Sequence, residues 1–168
     1  MRKILFIFYF DPNKIEYIVQ LITDSGDIPI MNDLNLERWS ISSYSRGYHA
    51  YMNIWNPLVG DDSLFCRKEN GNVHDPHAVA IIAGNAIVGH VPENICGFFW
   101  RFLSLPNTSI RAEVLGTRVN RGAGHGLEIP VRYIFQGHQK AVRWIKGKVE
   151  EEEARVEKRF KKCLKNAV

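Results

Sequence analysis

Two short segments of the chain carry most of the side chains that could do chemistry. The polar segment Glu69–Ala78 and the segment Val88–Glu93 supply amide, imidazole and carboxylate groups. The candidate groups are those of Asn72, His74, Asp75, His77 and His90. An apolar hairpin is predicted between the two segments, because Gly84-Asn85 separates two apolar runs and both residues tolerate a positive φ. We therefore expect these side chains to meet at one end of a β-barrel.

These groups fit three interpretations. The first is metal-assisted hydrolysis by His74, His77 and His90, because imidazoles bind metals and a bound metal activates water. However, an extended backbone would place neighbouring ligands of this segment on opposite faces. The second is binding of a nucleic-acid end, in which Asn and His donate to phosphate, Asp accepts from a sugar hydroxyl and aromatic rings stack on a base. The third is a turn, in which Asp75 accepts hydrogen bonds from local backbone amides.

The motifs of several common enzyme classes are missing. The sequence contains no G-x-x-x-x-G-K-[ST], no H-E-x-x-H and no G-x-S-x-G. The glycine-rich segment 121–126 lies between two predicted strands and opens no helix, which favours a loop over a dinucleotide site. Cys66, Cys96 and Cys163 form no C-x-x-C, and their spacing supports neither a zinc site nor a disulfide framework. We therefore expect no cofactor, no catalysis and a reducing, intracellular compartment.

Short apolar runs with turn signals between them predict a β-rich body. The runs are Tyr44–Trp55, Leu64–Arg67, Ala78–Ala83, Ala86–Val91, Ile110–Thr117 and Leu127–Phe135. In the last run every second residue is apolar, and this period of two places one set of side chains on the core face. The set is Leu127, Ile129, Val131, Tyr133 and Phe135. Pro130 cannot donate a ladder hydrogen bond, which predicts an edge or a bulge in this strand.

One helix is predicted between the strands. Pro92 and Glu93 suit its first turn, where proline loses no hydrogen bond and a carboxylate meets the positive end of the helix dipole. Apolar residues then follow with helical spacing, which predicts a face that packs on the core. They are Ile95, Phe98, Phe99, Phe102 and Leu103.

The positive charge of the chain is concentrated near its C-terminus. The 168 residues include 22 Lys and Arg and 18 Asp and Glu, a net charge of +4. Residues 138–168 hold 10 basic and 5 acidic residues, a net charge of +5, so the rest of the chain is nearly neutral. This distribution does not support a broad basic face on the body. Glutamates 150–153 precede most of the basic residues, which predicts a charged helix that is either solvated or in contact with phosphate.

The N-terminal apolar run Ile4–Phe10 follows Arg2-Lys3 and ends at Asp11-Pro12. It is shorter than a typical secretory signal core and far shorter than the ~20 apolar residues of a membrane span. The run therefore predicts a buried strand, and no other segment is apolar enough to cross a bilayer. Residues 1–40 otherwise show no clear period, and we treat them as a leader of unknown structure.

Four stretches of the body share their order and spacing with one known family. They are residues 46–51 (RGYHAY), 66–80 (CRKENGNVHDPHAVA), 87–94 (IVGHVPEN) and 126–131 (GLEIPV). Together they resemble the HIRAN domain, which occurs in fork-remodelling SWI/SNF-type ATPases and in stand-alone proteins. The resemblance implies an OB-like, partly open β-barrel with one or two helices, an α+β fold that is mainly β. The expected organisation is a leader at 1–40, a HIRAN-like barrel at 44–137 and a charged helical tail at 138–168.

The resemblance also implies binding of single-stranded DNA in a pocket that captures a free 3′-hydroxyl end. By position, Asn72 and Asp75 correspond to polar residues around the terminal nucleotide. His74 corresponds to a stacking tyrosine and His90 to a phosphate contact. The other candidates are Tyr48 and Tyr51 for stacking and Arg46 and Arg67 for phosphate. The expected setting is DNA repair or the replication fork, in the nucleus, with possible protein partners and no membrane.

Two departures from the family pattern predict weaker DNA binding than in the relatives, or a different ligand with a similar end group. Glu93 is acidic where DNA-binding members tend to have a basic residue, and His49-Ala50 replaces an Arg-Tyr pair. Loss of a stacking ring or of a cation costs about 1–3 kcal/mol of binding. Two alternatives stay open: a protein-interaction module that holds a partner peptide in the same barrel, and a small metal-dependent phosphoesterase.

Overall fold

The computed structural model describes residues 36–122, 124 and 126–166. These residues form seven strands, one short 3-10 helix and two α-helices. In chain order they are β1 (Leu36–Ser45), the 3-10 helix (Tyr48–Ala50), β2 (Leu64–Lys68), β3 (Val79–Ala83), β4 (Ala86–His90), α1 (Glu93–Phe102), β5 (Ser109–Val114), β6 (Val119–Asn120), β7 (Leu127–His138) and α2 (Gln139–Asn166). The strand predicted at Ile4–Phe10 lies outside the described residues.

The strands form one antiparallel sheet in the order β1-β7-β5-β2-β3-β4, and β6 pairs with β7. β7 is a central strand, since β1 pairs with it from Leu36↔His138 to Ser45↔Ile129 and β5 pairs with its other side. An isolated bridge between Arg46 and His90 joins edge strand β4 to the end of β1. The sheet therefore curls into a partly open barrel, and the predicted mainly β, OB-like α+β fold is confirmed.

The inner face of β7 is the centre of the hydrophobic core. Ile129, Val131, Tyr133 and Phe135 are fully buried, which confirms the predicted alternation. The ring of Phe99 from α1 lies 4.9 Å from the rings of both Tyr133 and Phe135, at nearly perpendicular angles. Such edge-to-face pairs each contribute about 0.5–1.5 kcal/mol beyond the burial of their area. The helix and the central strand thus stabilise one another.

Helix α1 begins at Glu93, directly after Pro92, as predicted. Ile95 and Phe99 are buried, and so is Phe102. The remaining members of the predicted apolar stripe, Phe98 and Leu103, are partly buried against the same core. The helical spacing therefore identified the packed face correctly.

Helix α2 belongs partly to the core. Val142, Ile145 and Val149 in its first half are buried, whereas its second half is mostly exposed. Pairs such as Lys161–Glu157, with an Nζ–Oε1 distance of 2.6 Å, link its exposed charges along the helix. About three turns of the predicted tail are therefore part of the folded domain. Neither α2 nor the other helix in the described residues is long and apolar enough to span a membrane.

The first strand differs from the sequence prediction in its position. β1 begins at Leu36, so residues 36–40, which were assigned to the leader, are part of the sheet. The run Tyr44–Trp55 is not one strand. β1 ends at Ser45, and Gly47 then adopts a φ of 77°, which turns the chain into the 3-10 helix.

Pro130 keeps an unbroken register with Tyr44 of β1, so the predicted bulge is wrong, but on the other side of β7 the pairing with β5 ends at Val114↔Val131, which makes this a local edge position as predicted. Its carbonyl accepts a hydrogen bond from the Leu115 amide (2.9 Å). In an antiparallel ladder the nitrogen of the same residue faces the same side. On this side of β7, the neighbouring strand β5 has already ended at Val114. The missing donor therefore breaks no ladder bond.

Candidate functional site

The predicted site lies beside the junction of β4 with the end of β1. Arg46 and His90 exchange two backbone hydrogen bonds of 2.9 Å each across this junction. Gly89 makes the close approach possible, because a Cβ there would overlap Ser45 Oγ and lie 3.1 Å from the Arg46 carbonyl oxygen. Since Arg46 and His90 are directly opposite each other, their side chains share one face of the sheet.

A polar cluster of Glu69, Asn72 and His90 lies at this junction. Glu69 Oε2 accepts a hydrogen bond from Asn72 Nδ2 (2.9 Å) and lies 2.8 Å from His90 Nε2. The hydrogen bond from Asn72, together with the neighbouring His90, lowers the pKa of the Glu69 carboxyl, although partial burial opposes this effect. Glu69 is therefore ionised at neutral pH. The cluster fixes the His90 ring while leaving the side chain 29% exposed.

The ring of Tyr51 borders the polar cluster. Its centroid lies 6.1 Å from that of the His90 ring, with the two planes 44° apart. Partial burial and the Glu69 carboxylate raise the pKa of the Tyr51 phenol, so it is neutral at physiological pH. A partly exposed, neutral aromatic ring beside an imidazole can contact a base. The structure thus places Tyr51 with His90, as the stacking hypothesis requires.

Asn72 and Asp75 organise the turn before β3. Asn72 Oδ1 accepts hydrogen bonds from the amides of His74 (2.9 Å) and Asp75 (3.1 Å). Asp75 Oδ1 accepts one from the His77 amide (2.8 Å). The turn interpretation of this segment is therefore confirmed. It does not exclude a ligand, because the His74 ring is exposed and Asp75 is only half-buried.

Tyr48 is not available for stacking on a base, which corrects the sequence prediction. Its side chain is only 2% exposed. Its hydroxyl donates to the Trp55 carbonyl (3.3 Å), and its ring meets the Trp55 ring edge-on at 5.8 Å. The 3-10 helix after Gly47 turns Tyr48 into the core, whereas Tyr51, three residues later, stays at the surface. One 3-10 turn therefore separates a buried tyrosine from a partly exposed one.

Arg67 lies on the same face of the sheet as His90. Arg67 pairs with Ala80 and Ala80 pairs with His90, and directly opposed residues point to the same side. Arg67 is exposed and is two strands from His90, about 10 Å along the hydrogen-bonding direction. Arg67, His90 and Arg46 therefore form a row of basic side chains across this face.

The three histidines considered as metal ligands do not form a ligand group. His90 contacts Glu69, whereas the His77 ring packs edge-on against Trp100 at 5.8 Å. Within the described part of the chain, no three His, Cys, Asp or Glu side chains are placed to hold one metal ion. The geometry therefore gives no support to a site built from His74, His77 and His90.

The sequence prediction missed two groups at this junction. Glu69 was noted only as part of a motif, yet it holds both Asn72 and His90. Glu128 was expected on the outer face of β7, but it is fully buried and contacts the side chains of Arg46 and Arg121. The alternation in β7 predicted the direction of the Glu128 side chain. Nothing in the local pattern predicted that Glu128 would be buried in contact with Arg46 and Arg121.

Comparison with known proteins finds a likeness in structure only. No family model matches the chain, and no curated protein does. The crystal structure of the HIRAN domain of human HLTF aligns with a TM-score of 0.50 at 15% identity, covering 67% of this chain and 88% of that one. A solution structure of the HLTF HIRAN domain in its DNA-bound conformation aligns with a TM-score of 0.46 at 15% identity, covering 68% and 88%. The crystal-structure likeness shows that this chain has the fold of a HIRAN domain, which confirms the sequence resemblance at the level of the fold.

Proposed function

We propose that this protein is a nucleic-acid-binding module that binds single-stranded DNA and recognises its 3′-hydroxyl end. The observation that carries the proposal is the polar cluster of Glu69, Asn72 and His90, placed with Tyr51 beside Arg46 at an exposed junction of the barrel. The shared fold supports it, because the HIRAN domain of HLTF has a DNA-bound conformation. The proposal assigns no catalysis to the chain.

Each group at the junction has a role that suits its chemistry. His90 donates from Nε2 to Glu69, and as an imidazolium it also donates from its other ring nitrogen to phosphate, together with Arg46 or Arg67. The rings of Tyr51 and His74 stack on the terminal bases. Asp75 accepts a hydrogen bond from the sugar hydroxyl, and the side-chain amide of Asn72 donates to the sugar end. Glu93, exposed at the start of α1, brings negative charge near this site, so we expect modest affinity.

The first test is the replacement of His90 with alanine. We expect His90→Ala to weaken binding of a labelled single-stranded oligonucleotide about tenfold, the loss of roughly one charge-assisted hydrogen bond. The melting temperature should change little, because the side chain is partly exposed and Asn72 still satisfies Glu69. Fluorescence anisotropy and thermal unfolding measure the two effects.

His138→Ala is the matched control. His138 is exposed at the far end of β7, about 30 Å along β1 from the junction, where it pairs with Leu36. This control should bind DNA as the unchanged protein does. Equal losses in the two variants would show that binding does not depend on the junction.

A protein-interaction module is the second candidate, and one observation favours it. The segment between the 3-10 helix and β2 exposes Met52, Ile54, Leu58 and Val59, each by about half or more. Exposed apolar groups close together in the chain suggest a protein contact. Failure of the unchanged protein to bind any oligonucleotide would favour this candidate. The cellular setting that we propose, DNA repair or the replication fork in the nucleus, rests on the HIRAN resemblance.

A further inference from the structure

Glu128 is a charged side chain with no exposed surface on the outer face of the barrel. Its Oε2 accepts a hydrogen bond from Arg121 Nε at 2.6 Å. Its Oε1 lies 3.1 Å from Arg46 Nε. A buried carboxylate is costly unless it is paired, and here two guanidinium groups share one carboxylate. The group of three therefore has a net charge of +1.

The two arginines are held differently. Arg121 is fixed on two sides, since its guanidinium also lies over the ring of Tyr44, 3.7 Å from the centroid. Arg46 Nε and Glu128 Oε1 are close, but their geometry is not that of a hydrogen bond, and both atoms are buried without a partner in the described residues. Glu128 thus fixes the orientation of Arg121 and holds Arg46 mainly by charge.

Both arginines remain open to a ligand on their outer side. Their side chains are 31% (Arg46) and 42% (Arg121) exposed. The contacts with Glu128 run through the Nε atoms, and a guanidinium has four further N–H donors on its two terminal nitrogens. A planar group with a fixed orientation and free terminal donors is suited to bind phosphate at two points.

The position of the arginines connects them to the proposed DNA site. Arg46 is directly opposite His90 on β4 and contacts Glu128 on β7. The row of basic side chains that begins at Arg67 and His90 therefore continues through Arg46 to Arg121. A DNA strand whose 3′ end lies in the polar cluster would contact these two arginines next along the same face.

We propose that Glu128 is a positioning residue that holds Arg46 and Arg121 as a paired phosphate clamp for the backbone of the bound strand. This inference rests on the proposed function and adds Arg121 and Glu128 to it. Arg121 contacts phosphate directly, whereas Glu128 acts through the two arginines. Positioning, and not only charge, then sets the affinity.

Arg121, the more exposed arginine of the clamp, gives the first test. Arg121→Ala should weaken binding of a single-stranded oligonucleotide about tenfold. It should also reduce the slope of log K against log salt concentration by about 0.7, the value for one phosphate contact on a single strand. Arg132→Ala is the matched control, because Arg132, which lies on β7, is exposed like Arg121 and is also paired with a carboxylate, that of Glu113 (3.1 Å). The control removes the same charge and should leave affinity and slope nearly unchanged.

The outcomes separate the clamp from the proposed function. If the unchanged protein binds DNA and Arg121→Ala binds with the same affinity and the same slope, the clamp is wrong and DNA binding stands. If the unchanged protein binds no oligonucleotide at all, both proposals are wrong. A loss as large in Arg132→Ala as in Arg121→Ala would also overturn the clamp, since general charge would explain it.

Glu128→Gln tests positioning against charge. The change removes one negative charge beside the site, so simple electrostatics predicts tighter binding of DNA. A positioning role predicts weaker binding, because the arginines lose their carboxylate partner. Tighter binding by a folded Glu128→Gln variant would overturn the positioning role.

If Glu128→Gln does not fold, Arg121→Lys can distinguish positioning from charge instead. Lysine keeps the charge but has no planar group to lie over Tyr44 and bind phosphate at two points. The variant should keep the salt slope and still lose affinity. Full affinity with lysine would show that charge alone is sufficient, which contradicts the proposal.

Discussion

Replacing Tyr48 with alanine is expected to lower the free energy of unfolding by about 3–5 kcal/mol, as for other large aromatic side chains in protein cores. The phenol is 2% exposed, and its ring packs edge-on against Trp55. Its removal leaves a cavity and frees the Trp55 carbonyl from its hydrogen-bond partner. Chemical denaturation measures the loss. At a temperature where the variant is still folded, DNA binding should be nearly normal.

Tyr51→Ala is the matched control for Tyr48→Ala, and we expect it to lose DNA affinity while keeping most of its stability. Its partly exposed ring borders His90, so we expect weaker binding by about 1–3 kcal/mol, the value of one base stacked on an aromatic ring. Stability should change by much less than in Tyr48→Ala. A DNA-binding loss in Tyr48→Ala that exceeded the loss in Tyr51→Ala would contradict the assignment of the two tyrosines.

Replacing Gly89 with valine is expected to destabilise the domain by about 3 kcal/mol, the upper end of the usual cost of overpacking. The new side chain would collide with Ser45 and crowd the Arg46 carbonyl. The strands β1 and β4 would have to separate, and the two hydrogen bonds between Arg46 and His90 would lengthen or break. Because this junction aligns the site, oligonucleotide binding should fall with stability.

Gly97→Ala controls for the replacement of a glycine. A Cβ at Gly97 meets nothing within 4 Å, and the residue lies inside α1. This variant should gain about 0.5–1 kcal/mol of stability, since alanine favours a helix over glycine. If Gly89→Val were as stable as the unchanged protein, the close approach of the two strands would not be what Gly89 provides.

The central part of the fold was predictable because local patterns and packing agree there. In β7 every inward position from Ile129 to Phe135 is apolar and buried, so the period of two was visible. The stripe of α1 was visible for the same reason. In β1 the inward positions include Glu37 and Ser43 together with Trp39 and Ile41, and this mixture hid the alternation. Its partner β7 lies about 90 residues away in the chain, where local patterns carry no information.

The sequence indicated which residues would lie together at the candidate site, but not how they contact one another. The residue types indicated correctly that the segments around Asn72 and His90 come together, and Glu69 joins them. They did not indicate that Tyr48 turns into the core, because that depends on the positive φ of Gly47. The burial of Glu128 depends on two arginines from other parts of the chain, Arg46 and Arg121. Contacts of this kind appear only when the strands are assembled.

The most direct test of end recognition compares two oligonucleotides of one sequence that differ only at the 3′ terminus, one with a hydroxyl and one with a phosphate. The phosphate adds negative charge, so attraction to basic side chains alone would favour it. A site that accepts the sugar hydroxyl beside the Asp75 carboxylate should instead reject it. We predict that the hydroxyl-ended strand binds about tenfold more tightly, a difference of about 1.4 kcal/mol. Equal binding, or tighter binding of the phosphorylated strand, would contradict recognition of a 3′-hydroxyl end.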